Sequence, residues 1–143
     1  MKFKGCFFRL EKERNRELRS IFNHLFFDEG LNIFQISEKI AVMPSKRFWV
    51  DENRAAIVVS RMEKGDSLPN MLEMKRKMYQ EIYRRTQLLR VEYKGEKTTK
   101  DLVSEVIQQP APLFYLKKKT IEKTLYRILN GWYEKRITDG QGQ

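Results

Sequence analysis

One cysteine and one histidine occur in this 143-residue chain. Cys6 has no partner within the chain, so no internal disulfide can form and nothing points to an oxidising compartment. A structural zinc site needs several soft ligands, and Cys6 and His24 are too few. Proline (four) and glycine (seven) are also scarce, which argues against a sandwich or barrel, since those folds need turn signals roughly every ten residues. No apolar stretch approaches the roughly 20 residues that cross a bilayer. The opening segment, residues 1–10, is basic, but Arg9 breaks its apolar run and Glu11-Lys12-Glu13-Arg14 follows. No secretory signal is therefore expected, and the protein is expected to be cytoplasmic, without a membrane partner. There is no glycine-rich phosphate loop. The carboxylates are scattered among basic residues, so no magnesium nuclease centre is expected either. His24 lies beside Phe22, Leu25 and Phe26, where a packed or half-exposed helix residue is expected rather than a general base. The chain is thus expected to be no enzyme and to carry no cofactor or metal.

What remains is apolar and charged. Hydrophobic residues make up 41%, aromatics 12% and charged residues 34%, a composition that supports a core beneath long solvated helices. The net charge is +10. Residues 1–30 carry 7 basic and 5 acidic side chains, 31–65 carry 6 and 4, 66–100 carry 9 and 5, and 101–143 carry 7 and 5. With no basic tail, any positive surface has to be assembled by folding, and such a surface suits a polyanion.

Apolar spacing predicts six helices. The first runs from about Glu11 to Phe27, with Leu18, Ile21, Phe22, Leu25 and Phe26 on one face, and Gly30 stops it. A short second helix spans about Ile33 to Met43 with Ile33, Ile36, Ile40 and Met43 inward, and Pro44 ends it. An extended aromatic stretch, Phe48-Trp49-Val50, leads to Asp51 as N-cap of a third helix, about Glu52 to Lys64, that buries Ala55, Val58, Val59 and Met62. After the linker at 65–70 the pattern repeats. A long helix is predicted over about Glu73 to Val91, with Met74, Met78, Ile82 and Leu89. A short one follows over about Thr99 to Gln108, then an aromatic stretch at 113–116. A last helix spans about Lys118 to Arg136, with Ile121, Leu125, Ile128, Leu129 and Trp132.

Residues 36–65 align without a gap onto 102–131 at a shift of 66, pairing Pro44 with Pro110, Phe48 with Phe114, Arg61 with Arg127 and Gly65 with Gly131. Apolar positions coincide across two helices and the bend between them, which points to a tandem duplication. The expected fold is all-α, two tandem three-helix modules in one compact unit. Residues 1–66 form the first module, 67–70 the linker, 71–137 the second module and 138–143 a loose tail. The modules are expected to meet through their long first helices. Within each, short helix, bend and last helix are helix-turn-helix-like, although the bend is longer than the usual turn. The chain also resembles small uncharacterised basic proteins of Bacteroidota phages and mobile elements, which share its basic make-up and an Arg-Phe-Trp-Val segment such as Arg47 to Val50. That resemblance covers most of the chain and implies a setting, but no activity.

Candidate binding residues follow from charge placement. Arg54, Arg61 and Lys64 fall opposite the apolar stripe of the third helix, and Lys119, Lys123 and Arg127 opposite that of the last. The competing reading of such faces is a plain wet surface. Lys117-Lys118-Lys119 is sharper, because three cations oppose the dipole at a helix start, where a docked anion would relieve them. The alternative is that Thr120 caps the helix and the lysines trail in solvent. Trp49 and Tyr115, at matching positions, either stack on bases beside Lys46-Arg47 or anchor the bend to the core. If one ring is exposed at each bend, Trp49 or Tyr115 is expected rather than Phe48 or Phe114. The expected function is non-catalytic binding of DNA or RNA. The rival is a structural or adaptor protein of a phage or mobile-element machine that grips a protein partner or a second copy through aromatic and methionine surfaces (Met71, Met74, Met78).

Overall fold

The computed structural model describes residues 2–132, with side chains from Arg9 onward. The end of the expected last helix and the 138–143 tail lie outside the described residues. Among the described residues the chain is all-helical: α1 (Lys2–Asn23), α2 (Ile33–Ile40), α3 (Glu52–Glu63), α4 (Glu73–Glu92), α5 (Thr99–Ile107) and α6 (Lys118–Leu129), with α1 running into a π-helical turn at His24–Asp28. None of these helices is long and apolar enough to cross a membrane.

Local chemistry sets the helix ends. Asn32 and Gln35 form a reciprocal capping box at the start of α2 (2.9 and 3.0 Å). As expected, the Asp51 side chain caps α3, accepting from the Arg54 N–H at 3.1 Å, and Thr98 caps α5. Gly30 closes the π-turn at a φ of 69°, a conformation that favours glycine. Two boundaries differ from expectation. α1 begins at Lys2 rather than near Glu11, and α2 ends at Ile40, because residues 41–43 tighten into turns before Pro44.

The tertiary arrangement is less direct than the sequence order. One core joins Leu18 and Phe22 of α1, Leu25 of the π-turn and Ile36 and Ile40 of α2 to Phe114 and to Ile121, Leu125 and Ile128 of α6. The other joins Phe48, Val50 and α3 (Ala55, Val58, Val59) to α4 (Met78, Tyr79, Ile82), α5 (Val103, Val106, Ile107) and Ala111. The last helices are therefore exchanged: α3 packs on α5 and α4, and α6 on α2 and α1. The expectation that the halves meet through their long first helices is corrected accordingly. The bend carries α3 across: Ser45 pairs with Ala111, and the Phe48 N–H donates to the Ile107 carbonyl at 3.0 Å, whereas a tight helix-turn-helix connection would hold α3 against its own short helix.

The two bends cross at a single antiparallel bridge, Ser45 with Ala111. Each N–H donates to the other's carbonyl at 2.9 Å, and both residues are buried. These are the two positions that the shift of 66 places together.

Polar groups hold each core from outside. In the α3–α4–α5 unit, Glu63 accepts from Gln87 (2.9 Å), Arg90 (2.6 Å) and Thr99 (2.8 Å). Burial pushes its carboxyl pKa up, but these hydrogen bonds together hold it below the usual range. The linker at 65–70 is pinned as well: Leu68 is buried, and Arg76 donates to the Leu68 carbonyl at 3.1 Å.

Candidate nucleic-acid interface

The Pro44–Val50 bend is tied to α1 by Glu17, a residue that sequence reasoning passed over. Glu17 is 8% exposed. Its carboxyl group accepts from the Ser45 hydroxyl (2.8 Å), the Lys46 backbone N–H (3.0 Å) and the Trp49 indole N–H (3.2 Å). The indole N–H also lies 2.7 Å from the Ser45 hydroxyl oxygen. The signal was an acidic side chain directly preceding Leu18 at the edge of the apolar stripe. Arg47 is engaged in the same way. Its guanidinium donates to the Phe48 carbonyl at 3.0 Å and lies 5.4 Å over the Trp49 ring. Burial lowers its pKa, with Glu13 and Glu52 opposing and Arg9 adding to the effect. Of the bend cations only Lys46 is exposed.

Phe48 (1% exposed) and Phe114 (5%) are buried, while Trp49 and Tyr115 are half-buried, the order expected. Trp49 packs against the α1–α2–α6 core and Tyr115 against the other. Tyr115 sits at a φ of 59° and stacks on Phe48 with 6.1 Å between centroids. Arg85 covers the Phe48 ring at 5.0 Å and donates to the Pro110 carbonyl at 2.8 Å. Both aromatic pairs thus brace the crossing.

Arg54, Arg61 and Lys64 on α3 are exposed, as are Lys117, Lys119, Lys123 and Arg127 on α6. The two basic stripes ride on different cores, since α3 and α6 are the exchanged helices. Lys117 is the N-cap of α6 and makes no capping hydrogen bond, and no acidic residue lies in its first turn. Thr120 is inside the helix, so the capping alternative is corrected. Lys118 is paired with Glu38 of α2 at 2.8 Å, which makes it a clamp between α6 and α2. Arg127 lies 4.9 Å over the Trp132 ring.

An apolar surface appears where none was expected. Phe26, Phe27 (73% exposed), Tyr126, Leu129 and Trp132 are all exposed, and several of them line a groove of about 460 Å³ between the π-turn and α6. Leu129 and Trp132 were expected inward. The buried stripe of α6 instead stops at Ile128, and Leu129 faces the groove beside the π-turn. The expected methionine surface is not one: Met78 is buried, and Met71 and Met74 are half-buried. His24 is exposed on the π-turn, with Nδ1 2.8 Å from Asp28. Among the described residues no three His, Cys, Asp or Glu side chains cluster as a metal site would require. Comparison with protein-family models, with curated proteins and with solved structures finds no match to this chain.

Proposed function

We propose that the protein binds DNA or RNA without catalysis, chiefly through α6, with the α3 stripe as a second contact. The observation that carries the reading is the α6 N-terminus. Lys117 and Lys119 crowd the positive end of a helix dipole that has no side-chain cap and no acid in its first turn, Lys118 beside them is paired with Glu38, and Lys123 and Arg127 extend the charge along one face. Each such cation costs the free protein a few tenths of a kcal/mol or more, and a docked phosphate reverses the sign.

This sets up opposed outcomes in one variant. Lys117→Glu with Lys119→Glu is expected to weaken binding to duplex DNA, single-stranded DNA or structured RNA by at least about tenfold at low salt. The same change is expected to raise the melting temperature, since acids favour a helix start by about 0.3–1 kcal/mol each. Wild-type affinity is expected to fall steeply as salt rises. Absence of binding to all three nucleic acids at low salt defeats the reading.

The second reading is a structural or adaptor protein of a phage or mobile element, and the exposed Phe26–Phe27–Tyr126 surface favours it. Contiguous exposed aromatics mark interaction sites. A protein partner held there is expected to be lost on Phe27→Glu and kept on Lys117→Glu/Lys119→Glu, as read by co-purification from the native host. Retention by Phe27→Glu counts against this surface.

We also propose that the chain is a tandem duplication. A bridge between matching positions 45 and 111 is what a local twofold axis produces. The positive φ at both Gly65 and Gly131 also supports it. The test is whether residues 1–66 alone pair with a second copy of themselves.

A further inference from the structure

Helices α1, α3 and α4 meet around an open cavity of about 310 Å³. That is the low end of the range for sites that hold one small ligand, about 300–1,000 Å³, and too small for a polymer lying lengthwise. Met78 and Tyr79, both buried, form its back, and Trp49 and Val50 one wall. Arg14, Arg54 and Lys75 bring a cation from each of the three helices to the same opening. Two carboxylates, Glu11 and Asp51, also line it, and that of Asp51 is committed to capping α3. Burial raises the Tyr79 hydroxyl pKa, and the neighbouring Arg54 charge opposes that effect. Among the described residues, neither Arg54 nor Lys75 has a carboxylate within ion-pair distance. Trp49 is fixed in advance by its bonds to Glu17 and Ser45 and by Arg47 over its ring, so it is a rigid wall.

An aromatic and apolar interior with cations at the mouth suits a flat heterocycle that carries an anionic group a short distance away. We infer that this cavity holds a single nucleotide, its base beside Trp49 and its phosphate at Arg54 and Lys75. The inference rests on the nucleic-acid reading and says where one base goes. The nucleotide is either free or an unpaired residue of a strand. The site exists only in the exchanged fold, because α1 belongs to one core and α3 and α4 to the other.

The experiment follows the Trp49 indole N–H resonance of the full-length protein, assigned with Trp132→Phe. The titrants are adenosine 5′-monophosphate, inorganic phosphate, a short single-stranded oligonucleotide and its fully abasic counterpart. The mononucleotide is expected to shift the resonance saturably while phosphate alone does not. The oligonucleotide is expected to bind at least tenfold more tightly than the abasic strand. Arg54→Gln with Lys75→Gln, checked for unchanged helicity, is expected to weaken the mononucleotide at least tenfold. An oligonucleotide that binds without moving Trp49, or no better than the abasic strand, overturns the cavity and leaves nucleic-acid binding intact. Mononucleotide binding without oligonucleotide binding keeps the cavity as a free-nucleotide site and overturns the strand reading. If phosphate alone reproduces the shift, the site reads an anion and not a base. Failure of every titrant overturns the cavity, whereas the wider nucleic-acid reading falls only if duplex DNA and structured RNA fail as well.

Discussion

Cut in the 65–70 linker, neither half of this protein is expected to fold alone, and equimolar mixing of the two is expected to restore the helical signal. The first half would keep α1 and α2 but lose Phe114, Ile121, Leu125 and Ile128, which complete their core. Four large side chains at about 1.5–3 kcal/mol each come to about 6–12 kcal/mol. That is comparable to the whole stability of a typical domain, about 5–15 kcal/mol. The second half loses α3, with Val58 and Val59 at the centre of the other core. Circular dichroism of each half at low micromolar concentration, then of the mixture, reads the result directly. A half that melts cooperatively as a monomer would show that the exchanged helices are dispensable, contrary to the two cores described. If one half becomes helical only as its concentration rises, that is the self-pairing expected of a duplication.

Glu17→Ala is expected to be the most damaging single truncation outside the apolar cores. It removes the acceptor for three donors, two from side chains and one from the backbone, at a site almost closed to water. Leaving buried donors unsatisfied costs about 1–3 kcal/mol each. Water entering the vacated space recovers part of that, so a net loss of about 3 kcal/mol and a melting temperature lower by roughly 10 °C are expected. Glu17→Gln keeps an acceptor oxygen and is expected to lose less than half as much. Trp49→Phe removes only the indole donor and is expected to fall between wild type and Glu17→Ala. A Glu17→Ala protein that melts with the wild type would mean that the bend is held by the core aromatics alone. Because the network fixes Trp49, Glu17→Ala is also expected to loosen the cavity wall before it disturbs helix content.

The residues that form helices were legible from spacing and from end chemistry. The period of Leu18, Phe22 and Leu25, the Asp51 cap and the stop at Pro44 each act within one or two turns of chain, and local rules suffice for them. The buried stripe of α3 and the inner part of that of α6 were readable for the same reason. Leu129 and Trp132 continue the α6 period but are exposed, since period reveals which residues share a face and not what lies against that face. The candidate cations on α3 and α6 were found because charge opposite an apolar stripe has to face water. Arg47 and Lys118 were grouped with them and are spent on the Phe48 and Val50 carbonyls and on Glu38. The Arg47 partners lie one and three residues on, where the path of the bend decides the contact, and Glu38 lies 80 residues away, beyond any local pattern.

The sequence by itself determined the helices, their caps, the positive charge of the whole and the matching of positions 36–65 with 102–131. Only the tertiary structure decided which helices share a core. Apolar stripes specify that a face must be buried but not against which partner, and α3 and α6 carry stripes similar enough to fit either half. The path of the bends and the Ser45–Ala111 bridge settle that choice in favour of exchange. The exchange in turn brings side chains of α1, α3 and α4 to one cavity, beside Trp49.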